Sequence, residues 1–279
     1  RGRRRFLNEL LKRVLFAVPA GIFFLSVMWY ESWTFDLIIL TIGLFTQLEI
    51  VKLLKKAGTP TSLGFTLVIG LYVMLFPYLP FAFEIGLILF LIFVAVQTFN
   101  VKPDAFNNLT AGFFGGIYAP LGFLCLMLIR GMGTNEQGFA FALTLVLMIW
   151  GGDVFAYFGG KNFGKRPLAP TISPKKTVEG FLFGFIGCAV GLAVSIYTLP
   201  FVSPITMLNG LPLIFLIGIF GPIGDLIESK IKRKAEVKDS SNLLPGHGGF
   251  FDRFDALIPA SCAMYVYLIL IQEFGYVSL

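Results

Sequence analysis

Residues 211–273 read LPLIFLIGIFGPIGDLIESKIKRKAEVKDSSNLLPGHGGFFDRFDALIPASCAMYVYLILIQE: an apolar run, a stretch crowded with charge, Gly and Pro, and a second apolar run. A helix of about 17 to 22 apolar residues crosses roughly 30 Å of hydrocarbon, and both apolar runs are of that kind. The polar stretch between them, Ser229 to Asp255, must then be a loop held at a bilayer surface. The same alternation fills the chain, with apolar runs near 14–30, 33–51, 62–79, 81–99, 111–129, 138–158, 177–199, 211–227 and 256–273.

Composition agrees. With 56% apolar, 16% aromatic and only 14% charged residues, and a mean hydropathy of +0.82, a soluble globule would have too little polar surface. The sequence therefore predicts an all-α, polytopic membrane protein of about nine transmembrane helices. Cytoplasmic loops carry the excess of Lys and Arg. With the N-terminus cytoplasmic, Arg1, Arg3, Arg4, Arg5, Lys12 and Arg13 fall inside, followed by Lys52, Lys55 and Lys56 after the second run and Lys102 after the fourth. Lys161, Lys165, Arg166, Lys175 and Lys176 follow the sixth run, and Lys230, Lys232, Arg233, Lys234, Lys238 and Arg253 follow the eighth. Of the 22 basic residues only Arg130 lands on the other side. The Arg-rich start resembles a signal peptide, but the run behind it spans a bilayer and lacks a convincing small-residue cleavage site, so it is read as the first transmembrane helix.

The net charge of +6 is thus gathered on one face, where it attracts anionic membrane lipids and a nucleotide or other phosphate ligand; no nucleic-acid partner is expected. Residues 1–105 hold spans one to four with short loops, whereas residues 106–279 hold spans five to nine, both long cytoplasmic loops and most of the intramembrane acids. Function is expected in the second part. Cys125, Cys188 and Cys262 lie within spans at no metal spacing and read as packing residues, as do the Gly112/Gly116 and Gly187/Gly191 pairs.

Acids inside a membrane are costly and are functional candidates by default. Asp153, Glu179, Asp225, Glu228, Asp252 and Asp255 all fall near cytoplasmic ends of spans, the last four as i, i+3 pairs. Carboxylates gathered so closely need protons, cationic partners or a metal. Oxygen ligands without a His or Cys cluster favour Mg²⁺, held by one or two carboxylates together with substrate phosphates. The loop Gly159–Gly180, GGKNFGKRPLAPTISPKKTVEG, nearly spells a Walker A loop, but Arg166 stands where Ser or Thr would hold metal and a helix precedes it, so that motif is rejected. Gly159, Gly160 and Gly164 are instead expected to bring backbone N–H groups and the adjoining Lys161 and Asn162 to a phosphate. Ser173-Pro174-Lys175-Lys176-Thr177 is expected to open a helix, with Ser173 or Thr177 as cap and the lysines as point charges. His247, the single histidine, sits among glycines as a candidate ligand contact.

The run Ser229-x-Ile231-Lys232-Arg233-x4-Lys238-Asp239-x-Ser241-x2-Leu244-Pro245-x-His247-Gly248-Gly249-Phe250-x-Asp252-Arg253-Phe254-Asp255 resembles the hallmark of the phosphatidate cytidylyltransferases, also called CDP-diacylglycerol synthases. Asp153 and the Ser173–Gly180 block look like a second family segment, so the resemblance covers the C-terminal half. It implies a reaction of CTP with phosphatidic acid giving CDP-diacylglycerol and pyrophosphate, with Mg²⁺ required. On that reading Asp225 and Asp252 hold metal, Asp255 is a ligand or supports one, and Lys232, Arg233 and Lys238 neutralise the phosphates. Lys175 and Lys176 would hold the lipid phosphate or triphosphate tail, and Ser173, Thr177, Ser229, Asp239, His247, Gly248 and Gly249 complete the substrate site. The setting implied is a bacterial inner (cell) membrane with the active site facing the cytoplasm, and a homodimer is compatible with it. The alternatives are a CTP-dependent polyprenol or other lipid kinase, which would need a base beside its alcohol acceptor, and a transporter, which would place charge near mid-membrane.

Overall fold

The computed structural model describes residues 15, 18–59, 61–99, 105–200, 204–244 and 246–274. The basic residues from Arg1 to Arg13, the start of the first expected span, Lys102 and Pro245 lie outside the described residues. A helix stands at each expected apolar run: α1 (Val18–Tyr30), α2 (Ser32–Lys56), α3 (Leu63–Leu75), α4 (Ala82–Thr98), α5 (Ala105–Arg130), α6 (Asn135–Phe163), α7 (Val178–Thr198), α8 (Met207–Lys234) and α10 (Leu257–Glu273), with the short α9 (Phe251–Phe254) before the last. Among the described residues, α2, α5, α6, α7 and α8 are long and apolar enough to cross a membrane, and α1, α3, α4 and α10 are shorter apolar helices. Large apolar side chains such as Phe83, Phe215 and Leu208 stand exposed on the surface, as a hydrocarbon solvent permits. The chain is an all-α integral membrane protein.

Local chemistry sets the helix ends. Thr134 and Thr206 cap α6 and α8 in reciprocal boxes with Gln137 and Asn209, and the Thr177 hydroxyl accepts the Gly180 N–H at the start of α7. The α3 helix stops at Leu75 because a 3₁₀ turn, Phe76–Tyr78, accommodates Pro77; Phe81 then turns the chain at φ +55 and Tyr72 Oη donates to the Ala82 carbonyl at 2.9 Å.

Packing follows small residues and buried polar ties. The α6 and α7 backbones come close enough that a Cβ on Gly187 would lie 2.1 Å from the Gly151 carbonyl oxygen, so the Gly187/Gly191 pair is a packing device as expected. Gln47 Nε2 donates to the Thr66 and Gly115 carbonyls (3.0 and 3.3 Å), joining α2 to α3 and α5 inside the core. Arg130, the single basic residue expected opposite the others, is fully buried: Nε donates to the Met28 carbonyl at 2.6 Å and its terminal nitrogens to Asn135. These partners satisfy the guanidinium inside the protein, so its burial there needs no contact with water.

The segment between α6 and α7 departs from the expected open loop. The α6 helix runs to Phe163, which places Lys161 and Asn162 on its exposed last turn, and a two-stranded antiparallel hairpin follows, β1 (Pro167–Ala169) with β2 (Ser173–Thr177). Pro167, Pro170 and Pro174 prevent a helix here but suit the edges of a short hairpin. Ser173 therefore begins a strand, and Thr177 is the helix cap.

Candidate active site

The last three turns of α8 carry Asp225, Glu228, Ser229, Lys232 and Arg233, and the α9–α10 corner brings Asp255 against them. This approach depends on Gly224: a Cβ there would lie 2.1 Å from the Asp255 carbonyl oxygen, so a larger residue would push the corner away. One oxygen each from Asp225, Glu228 and Asp255 fall within 4.8 Å of one another. Three anions so placed repel unless positive charge offsets them, and two lysines reach in. Lys176, carried by β2, forms an ion pair with Asp225, and Lys232 Nζ lies 2.6 Å from Glu228 Oε1 and 2.7 Å from Asp252 Oδ1. Lys232 meets Glu228 as an ion pair, and Glu228 Oε1 is buried with no hydrogen bond among the described residues. Burial first, and the charge of Asp225 next, pushes the Asp255 carboxyl above the usual carboxylate range.

Asp252 sits differently from the place expected of it. Its Oδ1 meets Lys232, while Oδ2 accepts the Ser240 N–H (2.8 Å), the Ser240 hydroxyl (2.7 Å) and the Gly249 N–H (2.7 Å). Burial alone would raise this carboxyl, but its hydrogen bonds, among them those from Lys232, Gly249 and Ser240, outweigh it and hold the group well below the usual range. Glu228, which the sequence reading left out of the metal set, joins Asp225 and Asp255 in the cluster. Asp153 on α6 lies near enough to Asp225 and Asp255 to act on their electrostatics.

The other expected residues divide. Glu179 accepts the Lys165 and Arg166 N–H groups (3.0 and 3.2 Å), so it fastens the hairpin to α7. Arg233 Nε reaches the Ile172 carbonyl between the strands at 3.4 Å. Lys175, Lys238 and Asp239 are exposed near the surface, and Ser229 is half-buried. The expectation that Gly159, Gly160 and Gly164 cradle a phosphate is replaced by packing: added Cβ atoms would meet Phe183, the Thr177 hydroxyl and the Gly160 carbonyl, respectively. His247 is half-buried in a tight turn in which its N–H donates to Leu244 O at 2.9 Å, Leu244 pairs with Gly248, and Gly246 and Gly248 take positive φ. Sequence reasoning missed Glu49 of α2 and Ser240, which tie this loop down. The signal for Glu49 was an acid inside an apolar run.

Residues 11–271 match the Cytidylyltransferase family. The chain belongs to that family. It is 34% identical over 260 residues to a phosphatidate cytidylyltransferase of Bacillus subtilis, covering 90% of this chain and 94% of the relative. Phosphatidate cytidylyltransferases of Aquifex aeolicus and Staphylococcus aureus are 43% and 42% identical over 145 and 143 residues, covering about half of each chain. As a member of the cytidylyltransferase family the chain is a nucleotidyltransferase, and the converging acids and lysines are where such chemistry can be housed.

Proposed function

We propose that this chain is the phosphatidate cytidylyltransferase of its membrane, joining CTP to phosphatidic acid to give CDP-diacylglycerol and pyrophosphate. The observation that carries the reading is the Asp225–Glu228–Asp255 cluster flanked by Lys176 and Lys232, in a chain of this family.

The donor set fits a divalent cation: three carboxylate oxygens converge, and a buried Glu228 oxygen has no hydrogen bond among the described residues. Asp225, Glu228 and Asp255 would hold Mg²⁺, with Asp252 Oδ1 joining them when Lys232 turns to a phosphate. Bound there, Mg²⁺ would neutralise charge developing on the nucleotide phosphates. Phosphatidate supplies its own nucleophile. Its phosphomonoester oxygen attacks the α-phosphorus of CTP, a new P–O bond forms, the α–β P–O bond breaks and pyrophosphate leaves. The protein then needs to position substrates and stabilise charge rather than provide a nucleophilic side chain. Lys232 and Lys176 are placed to take the α-phosphate and the leaving pyrophosphate, and Arg233, Lys175 and Lys238 to draw the anionic substrates in from the surface. A groove of about 780 Å³ between α5, α8 and α10, lined by residues including Phe113, Tyr118, Phe220 and Val266, supports a place for the acyl chains. Tyr118 on its wall is close enough to Asp255 and Glu228 to feel their charge. Incubating detergent-purified protein with labelled CTP, Mg²⁺ and phosphatidic acid tests the reading; absence of a lipid-soluble cytidine product refutes it.

In the full membrane arrangement we place nine spans with the N-terminus and the active site on the cytoplasmic side of a bacterial inner membrane. Hydropathy and the one-sided distribution of basic residues support this. A cysteine introduced within 161–172 or 234–246 is expected to react with an impermeant reagent only from the cytoplasmic side, and labelling from outside would overturn the topology. Arg233→Lys keeps charge but loses the planar fork, and is expected to lower kcat/KM about tenfold, the equivalent of one charge-assisted hydrogen bond. Separate titrations of CTP and phosphatidate check it, and unchanged constants for both would return Arg233 to its tie with Ile172.

A further inference from the structure

Glu49 lies on α2, in the half of the chain expected to be only scaffold, and is 1% exposed. Among the described residues no cation lies within ion-pair distance of it. Its carboxylate is held instead by four donors from one distant loop. Oε1 accepts the Ser241 hydroxyl (2.6 Å) and the Phe250 N–H (3.1 Å), and Oε2 accepts the Ser240 hydroxyl (2.9 Å) and the Phe251 N–H (2.8 Å). Such a buried carboxylate is costly to alter, because the Phe251 N–H it would leave behind is buried and the other three donors are half-buried. Two further contacts secure the join. Phe45, one turn earlier on α2, stacks on Phe250 at 5.4 Å between centroids, and Gly249 passes so near that an added Cβ would lie 2.4 Å from the Glu49 carboxylate oxygens.

The same Ser240 hydroxyl that meets Glu49 also lies 2.7 Å from Asp252 Oδ2, and Asp252 holds Lys232 through its other oxygen. A hydroxyl has one proton to give, so its orientation is set by both carboxylates together. The chain of contacts runs from Glu49 through Ser240 and Asp252 to Lys232 and ends at Glu228 in the acid cluster. We infer that Glu49 is a positioning residue for nucleotide transfer: it clamps the Ser240–Phe251 loop to α2 and, through Ser240 and Asp252, sets Lys232 where the nucleotide phosphates are to be received. The inference rests on the transferase reading given above.

The test compares wild type, Glu49→Gln and Ser240→Ala in detergent, with Mg²⁺–CTP and phosphatidate titrated separately. Glu49→Gln keeps length but turns an amide N–H₂ toward donors, and is expected to lower kcat and raise the half-saturating Mg²⁺–CTP concentration, each about tenfold or more. The KM for phosphatidate should stay within about twofold, a split that a general loss of folded protein would not produce. Ser240→Ala removes the hydroxyl shared by Glu49 and Asp252 while leaving three donors on Glu49 and the residue-240 N–H on Asp252, and should show the same split more weakly. The double variant should be no worse than Glu49→Gln alone. Unchanged kcat and Mg²⁺–CTP dependence in either variant, or effects that multiply independently, would overturn the inference; if Glu49→Gln fails to fold, Ser240→Ala decides by the same criterion. If wild type yields no lipid-soluble cytidine product, the transferase reading has failed on its own. Binding of Mg²⁺–CTP without phosphatidate then tests the clamp, and equal or absent binding in wild type and Ser240→Ala would refute it.

Discussion

Asp225→Asn is expected to lower turnover by about 10²-fold or more, because removing one electrostatic stabiliser of a transition state typically costs roughly 3 kcal/mol. Folding should survive the change. Asp225 is about a third exposed (35%) and its ion pair is with the similarly exposed Lys176 (27%), so little of the packing depends on it. The neutral amide keeps one oxygen for a cation but removes the charge that holds it, so raising Mg²⁺ should recover only part of the loss. Turnover of labelled CTP across a Mg²⁺ series, alongside circular dichroism of the same preparation, separates the two contributions. Near-normal turnover at saturating Mg²⁺ would remove Asp225 from the metal set and leave it as the anchor of the hairpin lysine.

Lys232→Met is expected to damage both stability and activity, and by a different route. Its side chain is 14% exposed and its ammonium serves two carboxylates, Glu228 at 2.6 Å and Asp252 at 2.7 Å, whose side chains are only 2% and 5% exposed. Removing the shared cation leaves both acids buried and facing one another uncompensated, a change that typically costs about 3–5 kcal/mol. The thermal unfolding midpoint in detergent should fall by several degrees, and turnover by about 10²–10³-fold at temperatures where the variant is still folded. Lys232→Arg should recover much of the stability and less of the turnover, since the wider guanidinium satisfies the acids without reproducing a compact point charge. Unfolding and turnover both within error of wild type in Lys232→Met would show that the acids are protonated or otherwise compensated, and would sink the role assigned to Lys232.

Much of the molecule could be read in one dimension, and the reason is the solvent. A bilayer requires long apolar runs and internally satisfied backbone, so hydropathy alone marked each of the long apolar helices, from α2 to the Pro-interrupted α8, though not the short α9. The Ser229–Asp255 run similarly pointed to its family, because many residue identities at set spacing are a property of the chain and not of its packing. The glycines of 159–164 show the limit of such reading: spacing suggested a phosphate cradle, whereas the proximity of α7, invisible in sequence, assigns them to helix contact.

The site's wiring belonged to the tertiary structure. Which acids meet depends on how α8 and the α9–α10 corner pack through Gly224, and this brings Glu228 to the cluster and turns Asp252 toward Lys232 and Ser240. Lys176 finds Asp225 because proline-rich chain folds into a hairpin, and Glu49 finds the Gly249–Phe251 backbone some 200 residues later because α2 lies beneath that loop. Hydropathy and motif spacing are local quantities and therefore survive as text. Ion pairs and hydrogen bonds act over a few ångströms between residues far apart in the chain, so only the packed helices decide which of several equally charged residues become partners.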